Sequence, residues 1–248
     1  MGREGMGARI VAIDGTAASG KTSLARRLAD HLGYLFFDTG VMYRALTLAA
    51  MRRGLSTADE AGLTDLAERI TIDVETAQVR DGRPCTVLLD GEDVTWLLRS
   101  EQVDERVSPV SVYAGVRRAL SAQQRRIGLR GRVVMVGRDI GTVVLPEADL
   151  KIFLDASLEE RTRRRHAELK ARGPAPPLEE VRRSLGERDR IDSRRSVAPL
   201  RPADDAIHID TTRLTLEEVY ELALGLISRG GIEPGGSLDS GQQAAKAL

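Results

Sequence analysis

Eight residues near the amino terminus constrain this chain more than any other stretch: Gly15-Thr16-Ala17-Ala18-Ser19-Gly20-Lys21-Thr22. They match the phosphate-binding pattern G-x-x-x-x-G-K-[ST] at every fixed position. The flanks suit that pattern. Arg9-Ile10-Val11-Ala12-Ile13 reads as a short buried strand, and Leu24, Ala25, Leu28, Ala29 and Leu32 recur at helical spacing after the loop. A strand, a glycine loop and a helix start are what a phosphate cradle needs. Glycine lets the backbone turn its N–H groups inward, and the helix terminus adds its positive end. In that geometry the loop surrounds the phosphates, Lys21 reaches the β/γ-phosphates and Thr22 holds Mg²⁺. A plain Gly/Ser/Ala-rich turn is the alternative, and the flanking strand and helix argue against it.

The rest of the chain alternates strands with helices. Strands are expected at Tyr34–Phe37, Arg132–Val136, Leu150–Asp155 and Ala206–Asp210, which with the first strand make five. Helices are expected over Val41–Arg53, Asp59–Arg69, Gln102–Arg130 with a break near Pro109, Ser157–Arg172, Leu178–Arg194 and Thr215–Arg229. Ser108 before Pro109 reads as a helix start. This order implies an α/β fold with a mostly parallel sheet covered on both faces. Between Ile70 and Val110 the period turns alternating, with Asp81-Gly82 and Asp90-Gly91 as turns, so a small antiparallel insertion is expected there. From Gly230 onward the composition has no periodicity and reads as a disordered tail over 231–248.

Composition narrows the function classes. The 248 residues suit one α/β domain with an insertion, or two small domains. Basic and acidic residues balance at 37 each, so no global field draws nucleic acid or a membrane surface. The few aromatic residues, Trp96 among them, are too few for a base-stacking surface. His31, His166 and His208 are scattered without cysteine partners, which argues against zinc. The single Cys85, with no apolar leader in Met1–Ala8 and no run long enough to span a bilayer, leads us to expect a cytoplasmic protein. No Asn-Lys-x-Asp motif is present, so a switch GTPase is disfavoured.

Several later stretches add a resemblance. Asp38-Thr39-Gly40 with Tyr43-Arg44, Val116-Arg117, Gly137-Arg138-Asp139-Ile140-Gly141-Thr142-Val143-Val144, Glu187-Arg188-Asp189 and Asp192-Ser193-Arg194-Arg195-Ser196-Val197-Ala198-Pro199-Leu200 follow in order. With the phosphate loop they resemble the bacterial cytidylate kinases, from about Ile10 to Leu226. The resemblance implies a P-loop kinase fold over residues 8–230, a sheet in the order 2-3-1-4-5, a CMP-side insertion at about 70–110 and a helical lid at about 157–190. It implies ATP on the phosphate loop, Gly15 to Ser23, and CMP or dCMP as acceptor, with Mg²⁺. The acceptor phosphate would meet Arg44, Arg138 and Arg188; the cytosine, Ser108, Arg117 and Asp139; the ribose, Thr39 and Asp192, with Arg195 beside the phosphates. Arg161, Arg164 and Arg165 would belong to the lid, Arg161 and Arg164 acting with Lys21, Arg138 and Arg188 on the transferring group and Arg165 on ATP. Val136 stands where the family usually carries an acid, which leaves Asp14 and Asp38 as candidates to reach Mg²⁺ through water. A monomer acting without nucleic acid or membrane is expected.

Rival readings stay open at this stage. Arg161, Arg163, Arg164 and Arg165 with Glu159, Glu160 and Glu168 also suit a merely solvated helix face. A kinase of UMP or another nucleoside monophosphate, a nucleotide-binding switch and a nucleic-acid-binding ATPase all share the phosphate loop.

Overall fold

A computed structural model describes residues 10–229 and the backbone of 237–238. Arg9 and most of the expected disordered tail lie outside the described residues. The central strand β1 (Ile10–Gly15) pairs in parallel with β6 (Val133–Val136) on one side and β7 (Leu150–Asp155) on the other. The edge strands β2 (Leu35–Asp38) and β8 (Ile207–Asp210) complete a parallel run ordered β2-β6-β1-β7-β8. Counting only these five strands, that is the expected order 2-3-1-4-5. The two-residue strand β9 (Ser237–Leu238) extends it along β8, at a place where sequence predicts no structure.

Side chains alternate across this sheet into two apolar layers, because successive strand residues face opposite ways. Ala12, Phe37, Val133 and Met135 point into a core covered by α2 (Gly40–Arg52), α3 (Glu60–Arg69) and α5 (Ala114–Gly128). Val11, Ile13, Phe36, Val134 and Val136 point into the other, covered by α1 (Lys21–Leu32) and α8 (Leu216–Arg229). Strands buried on both faces explain why the sequence shows apolar runs rather than alternation. The helices end where local chemistry ends them. Gly33 adopts φ 62° and closes α1, Asp59 caps α3 by accepting from the Gly62 N–H at 2.9 Å, and Ser157 caps α6 (Leu158–Arg172) through the Glu160 N–H at 3.2 Å.

The insertion is a three-stranded antiparallel sheet, β3 (Ile72–Glu75), β4 (Thr86–Leu89) and β5 (Glu92–Asp93). Asp90 (φ 50°) and Gly91 (φ 86°) make the two-residue turn between β4 and β5, as hairpin twist requires. One expectation is corrected here. Ser108 does not start a helix: it lies in the last turn of α4 (Glu101–Val110), and the break falls after Pro109, before α5. Proline lacks the N–H that would donate four residues back and crowds the carbonyl there, and α4 runs only one residue past it.

The pair α6 and α7 (Leu178–Arg194) packs together beside the phosphate loop. Val181 and Leu185 of α7 and Leu158 of α6 meet Ala17 and Ala18 of the loop. Gly15, at the root of that loop, has φ 145°, and a Cβ there would lie 1.8 Å from the Leu154 carbonyl oxygen. Gly15→Ala is therefore expected to cost about 3 kcal/mol or more, lowering the thermal midpoint by roughly 10 °C. Calorimetry showing a midpoint within about 2 °C of the parent would contradict this.

Candidate active site

The carboxyl ends of the parallel strands gather the polar residues, as they do in open α/β sheets. The loop from Gly15 to Gly20 leaves β1 with Ala18 at φ 61° and Gly20 at φ 95°, so its backbone curls before α1 begins at Lys21. Ser19 Oγ donates to the Thr16 carbonyl at 3.0 Å, and Lys21 Nζ donates to the same carbonyl. Lys21 is buried, and burial followed by the like charge of Arg138 pulls its pKa well below the usual lysine value. Thr22 and Ser23 lie exposed in the first turn of α1. Thr22 Oγ1 lies 3.3 Å from Asp38 Oδ2.

A second group lies on β6's exit, α5 and the end of α7. Arg138 Nε donates to Asp192 Oδ2 at 2.8 Å. Asp192 Oδ1 accepts from Arg195 Nη1 at 3.2 Å, and Arg195 Nη2 lies 3.5 Å from Asp139 Oδ1. Asp139 Oδ2 accepts from Arg117 Nη2 at 3.0 Å, and both of these side chains are almost fully buried. The chain Arg138–Asp192–Arg195–Asp139–Arg117 thus alternates in sign and ends on a cation at each side. Arg117 also lies over the buried Tyr43 ring, 5.7 Å from its centroid. Burial raises the Tyr43 pKa. Burial, and then the like charge of Arg117, lowers that of Arg195. Arg188 opens to solvent, yet loss of hydration in the cleft and then the charge of Arg138 lower its pKa. Cations held below their ordinary affinity for protons have a strong demand for anionic partners.

Other expected residues fall elsewhere. Arg44 pairs with Asp104 of α4 and donates to the Leu98 carbonyl at 3.1 Å, outside the chain of alternating charges. Ser108 is exposed, and its carbonyl accepts from Ser111 Oγ at 2.8 Å. Thr39 is buried, its hydroxyl donating to the Val136 carbonyl at 2.9 Å. Arg161 is buried as a strut: Nε donates to the Ala156 carbonyl at 2.8 Å, and Nη1 to the Ala17 carbonyl at 3.3 Å and Asp189 at 2.6 Å. Arg164 donates to Glu160 at 2.8 Å and to the Thr211 carbonyl at 2.6 Å. Arg165 is half-buried, pairs with Glu168 at 2.7 Å within α6, and adds its like charge to the groups that lower the Arg188 pKa. Asp14 is buried and commits both oxygens to backbone, accepting from Ile140 N at 2.9 Å and Gly141 N at 2.7 Å. Burial pushes its pKa up to about 6.

Thr211 escaped the sequence reading. Its hydroxyl lies 3.1 Å from both the Ser19 and Asp155 carbonyls and accepts from Arg164 Nη1 at 2.9 Å, so it joins phosphate loop, sheet and α6. The signal was its position just past β8, at the ligand-binding edge of the sheet. Beside it, a cleft of about 410 Å³ is lined by Glu160, Arg164, Thr212, Arg213 and Leu214, among others.

A phosphate loop at the carboxyl edge of a parallel sheet, faced by converging arginines, defines a P-loop phosphotransferase. Residues 11–229 match the family model described as cytidylate kinase. The chain is 54% identical over 214 residues to a cytidylate kinase of Chloroflexus aggregans, covering 86% of this chain and 91% of that one. It is 50% identical over 217 residues to one of Herpetosiphon aurantiacus, covering 88% and 93%, and 49% identical over 213 residues to one of a Geobacter species, covering 86% and 90%. The chain belongs to the cytidylate kinase family.

Two substitutions probe the donor side. Lys21→Ala is expected to keep the circular dichroism spectrum and lower kcat by about a thousandfold, because one fixed charge on the transferring group is lost. Near-normal turnover would remove the loop from the chemistry. Thr211→Val keeps the shape but deletes the hydroxyl, and is expected to raise KM for ATP about tenfold. An unchanged KM would show the Thr211 link to be dispensable.

Proposed function

We propose that the chain works as the kinase of its family, transferring the γ-phosphoryl group of ATP to CMP or dCMP and releasing ADP with CDP or dCDP. The observation that carries this reading is the alternation of Arg138, Asp192, Arg195, Asp139 and Arg117, half-buried at one end and buried at Asp139 and Arg117. An acceptor phosphate oxygen forms a bond to the γ-phosphorus as the bond to the β–γ bridging oxygen breaks. That oxygen is already anionic, so no general base is required, and catalysis reduces to positioning and charge neutralisation. Lys21, Arg138 and Arg188 supply fixed positive charge, with the lid arginines Arg161 and Arg164 holding the loop and α6 around the donor. The cleft next to Thr211 suits the nucleoside of ATP.

The donor set fits magnesium, which takes one or two protein oxygens and completes its shell with water and phosphate. Thr22 Oγ1 and Asp38 Oδ2, close together on the open side of the loop, would hold it; Asp14 is already committed to backbone donors. When bound, Mg²⁺ neutralises charge on the phosphates.

Base choice follows from hydrogen-bond polarity. Cytosine offers an N4 amino donor where uracil offers an O4 acceptor, so the Asp139 carboxylate favours the first and opposes the second. Arg117 Nε is buried without a hydrogen-bond partner in the protein and can donate to the cytosine acceptors, a task Ser108 would share only if α4 brings it inward. Thr39 and Asp192 are the proposed ribose neighbours. Both Asp192 oxygens already serve arginines, so the 2′-hydroxyl contributes little and dCMP stays a good substrate. The balanced charge and single buried Cys85 support a cytoplasmic protein that acts alone, as a monomer without nucleic acid or membrane. Among the described residues no helix is long and apolar enough to cross a membrane.

The test is ATP turnover with no acceptor, with CMP, with UMP and with RNA. CMP is expected to exceed UMP in kcat/KM by up to about 10⁴, with no stimulation by RNA. Asp139→Ala should lower kcat/KM for CMP far more than for UMP. Equal turnover of CMP and UMP by the parent protein would overturn the base assignment and leave a general nucleoside monophosphate kinase.

A further inference from the structure

Asp139 holds the first position of the helical turn Ile140–Val144. Its carbonyl accepts from Val143 N at 2.9 Å and Val144 N at 3.1 Å, as a helix-starting residue does. An aspartate in that position ordinarily folds its carboxylate back onto the free N–H groups of the first turn. Here it does not. Its side chain makes no cap bond and instead faces Arg117 and Arg195.

The free N–H groups are taken by a different residue. Asp14, on the central strand and directly before Gly15, reaches across and receives Ile140 N at 2.9 Å on one oxygen and Gly141 N at 2.7 Å on the other. Two features let it reach. Its own backbone pairs with Phe153 of β7, and that of the preceding Ile13 with Val136 of β6. Residue 141 is glycine, and a Cβ there would already lie 3.1 Å from Lys151 Cδ and 3.5 Å from Asp14 Oδ2. An ionised carboxylate at a helix start is favoured both by charge-assisted hydrogen bonds and by the helix dipole.

We infer that Asp14 is a positioning residue for base selection: by capping the 140–144 turn from outside, it frees the Asp139 carboxylate to face the acceptor nucleobase. The inference rests on the reading of Asp139 as the group that distinguishes CMP from UMP. It assigns Asp14 a part beyond the outer Mg²⁺ contact that the resemblance implies. Without its second acceptor oxygen, the Gly141 N–H is left unpaired, two residues from Asp139 and in the usual reach of a capping side chain. Asp139 then turns back to satisfy it, and the site loses its carboxylate.

The test is a double-mutant cycle read as the ratio of kcat/KM for CMP to that for UMP. Asp14→Asn keeps the volume and one acceptor oxygen. It is expected to lower the ratio about tenfold, because one charge-assisted acceptor is lost. In the Asp139→Ala background the same change should leave the ratio unmoved, since no carboxylate remains to be misdirected. An anchor of merely structural importance would lower turnover of both nucleotides alike in both backgrounds. If Asp139→Ala lowers the ratio but Asp14→Asn does not, or if Asp14→Asn acts equally in both backgrounds, this inference fails while the base-reading assignment stands. If Asp139→Ala leaves the ratio unchanged, both fall. Hydrogen exchange on the unmodified protein gives an independent check should Asp14→Asn not fold. The Ile140 and Gly141 amides are expected to be protected with and without CMP, and a freely exchanging Gly141 amide in the CMP complex would overturn the inference.

Discussion

The site depends on how closely β1 is held between its two neighbours. At its carboxyl end the chain passes the Leu154 carbonyl so closely that only a residue without Cβ fits, and Gly15 is that residue. The phosphate loop therefore starts from a point that packing fixes, and its N–H groups inherit that position. One strand over, β6 ends at Gly137, where a Cβ would meet Ile140 at 2.6 Å and Thr39 Oγ1 at 2.9 Å. Two adjacent strands thus turn away near glycines, and Asp14, directly before the phosphate loop, reaches the Ile140 and Gly141 N–H groups that follow Arg138 and Asp139.

Charge is the second constraint. Joining two nucleotides brings several phosphates together, and a site built to hold them must collect cations before the anions arrive. The fold manages this by sharing aspartates. Asp192 serves Arg138 and Arg195, and Asp139 serves Arg195 and Arg117, so each arginine is oriented without being fully neutralised. Removing one member of such a buried chain leaves an uncompensated charge, which makes the group behave as a unit. Loss of hydration and the like charge of Arg138 hold Lys21 and Arg188 below their ordinary proton affinities, so each favours an anionic neighbour.

The α6–α7 pair is tied to the phosphate loop by apolar and polar contacts together. Ala17 packs on Val181 and Leu185 while its carbonyl accepts from Arg161, which also holds Asp189 of α7. Arg164 reaches the loop indirectly, through Thr211 to Ser19. Any movement of these helices must therefore exchange contacts with the phosphate loop.

Much of this was legible in the residues. The phosphate loop announces itself because its chemistry needs fixed residue types at fixed spacing, and the apolar runs beside it could only be strands buried on both faces. The five strands, the insertion and the charged helix pair followed from period, and their order followed from the family resemblance. Sequence alone could not separate Arg161, a buried strut, from Arg165, a half-buried arginine paired within its own helix, because both sit in one run of arginines and differ only in which way α6 turns them. Nor could it show that Ser108 closes a helix instead of opening one, or that Thr211 joins three elements. Asp14 looked like a metal neighbour because Val136 stands where the family usually carries an acid. Only the packing of β1 against β6 showed its oxygens already occupied, by N–H groups some 126 and 127 residues away in the chain. Local spacing specifies what a residue can do; contacts between distant segments decide what it is left free to do.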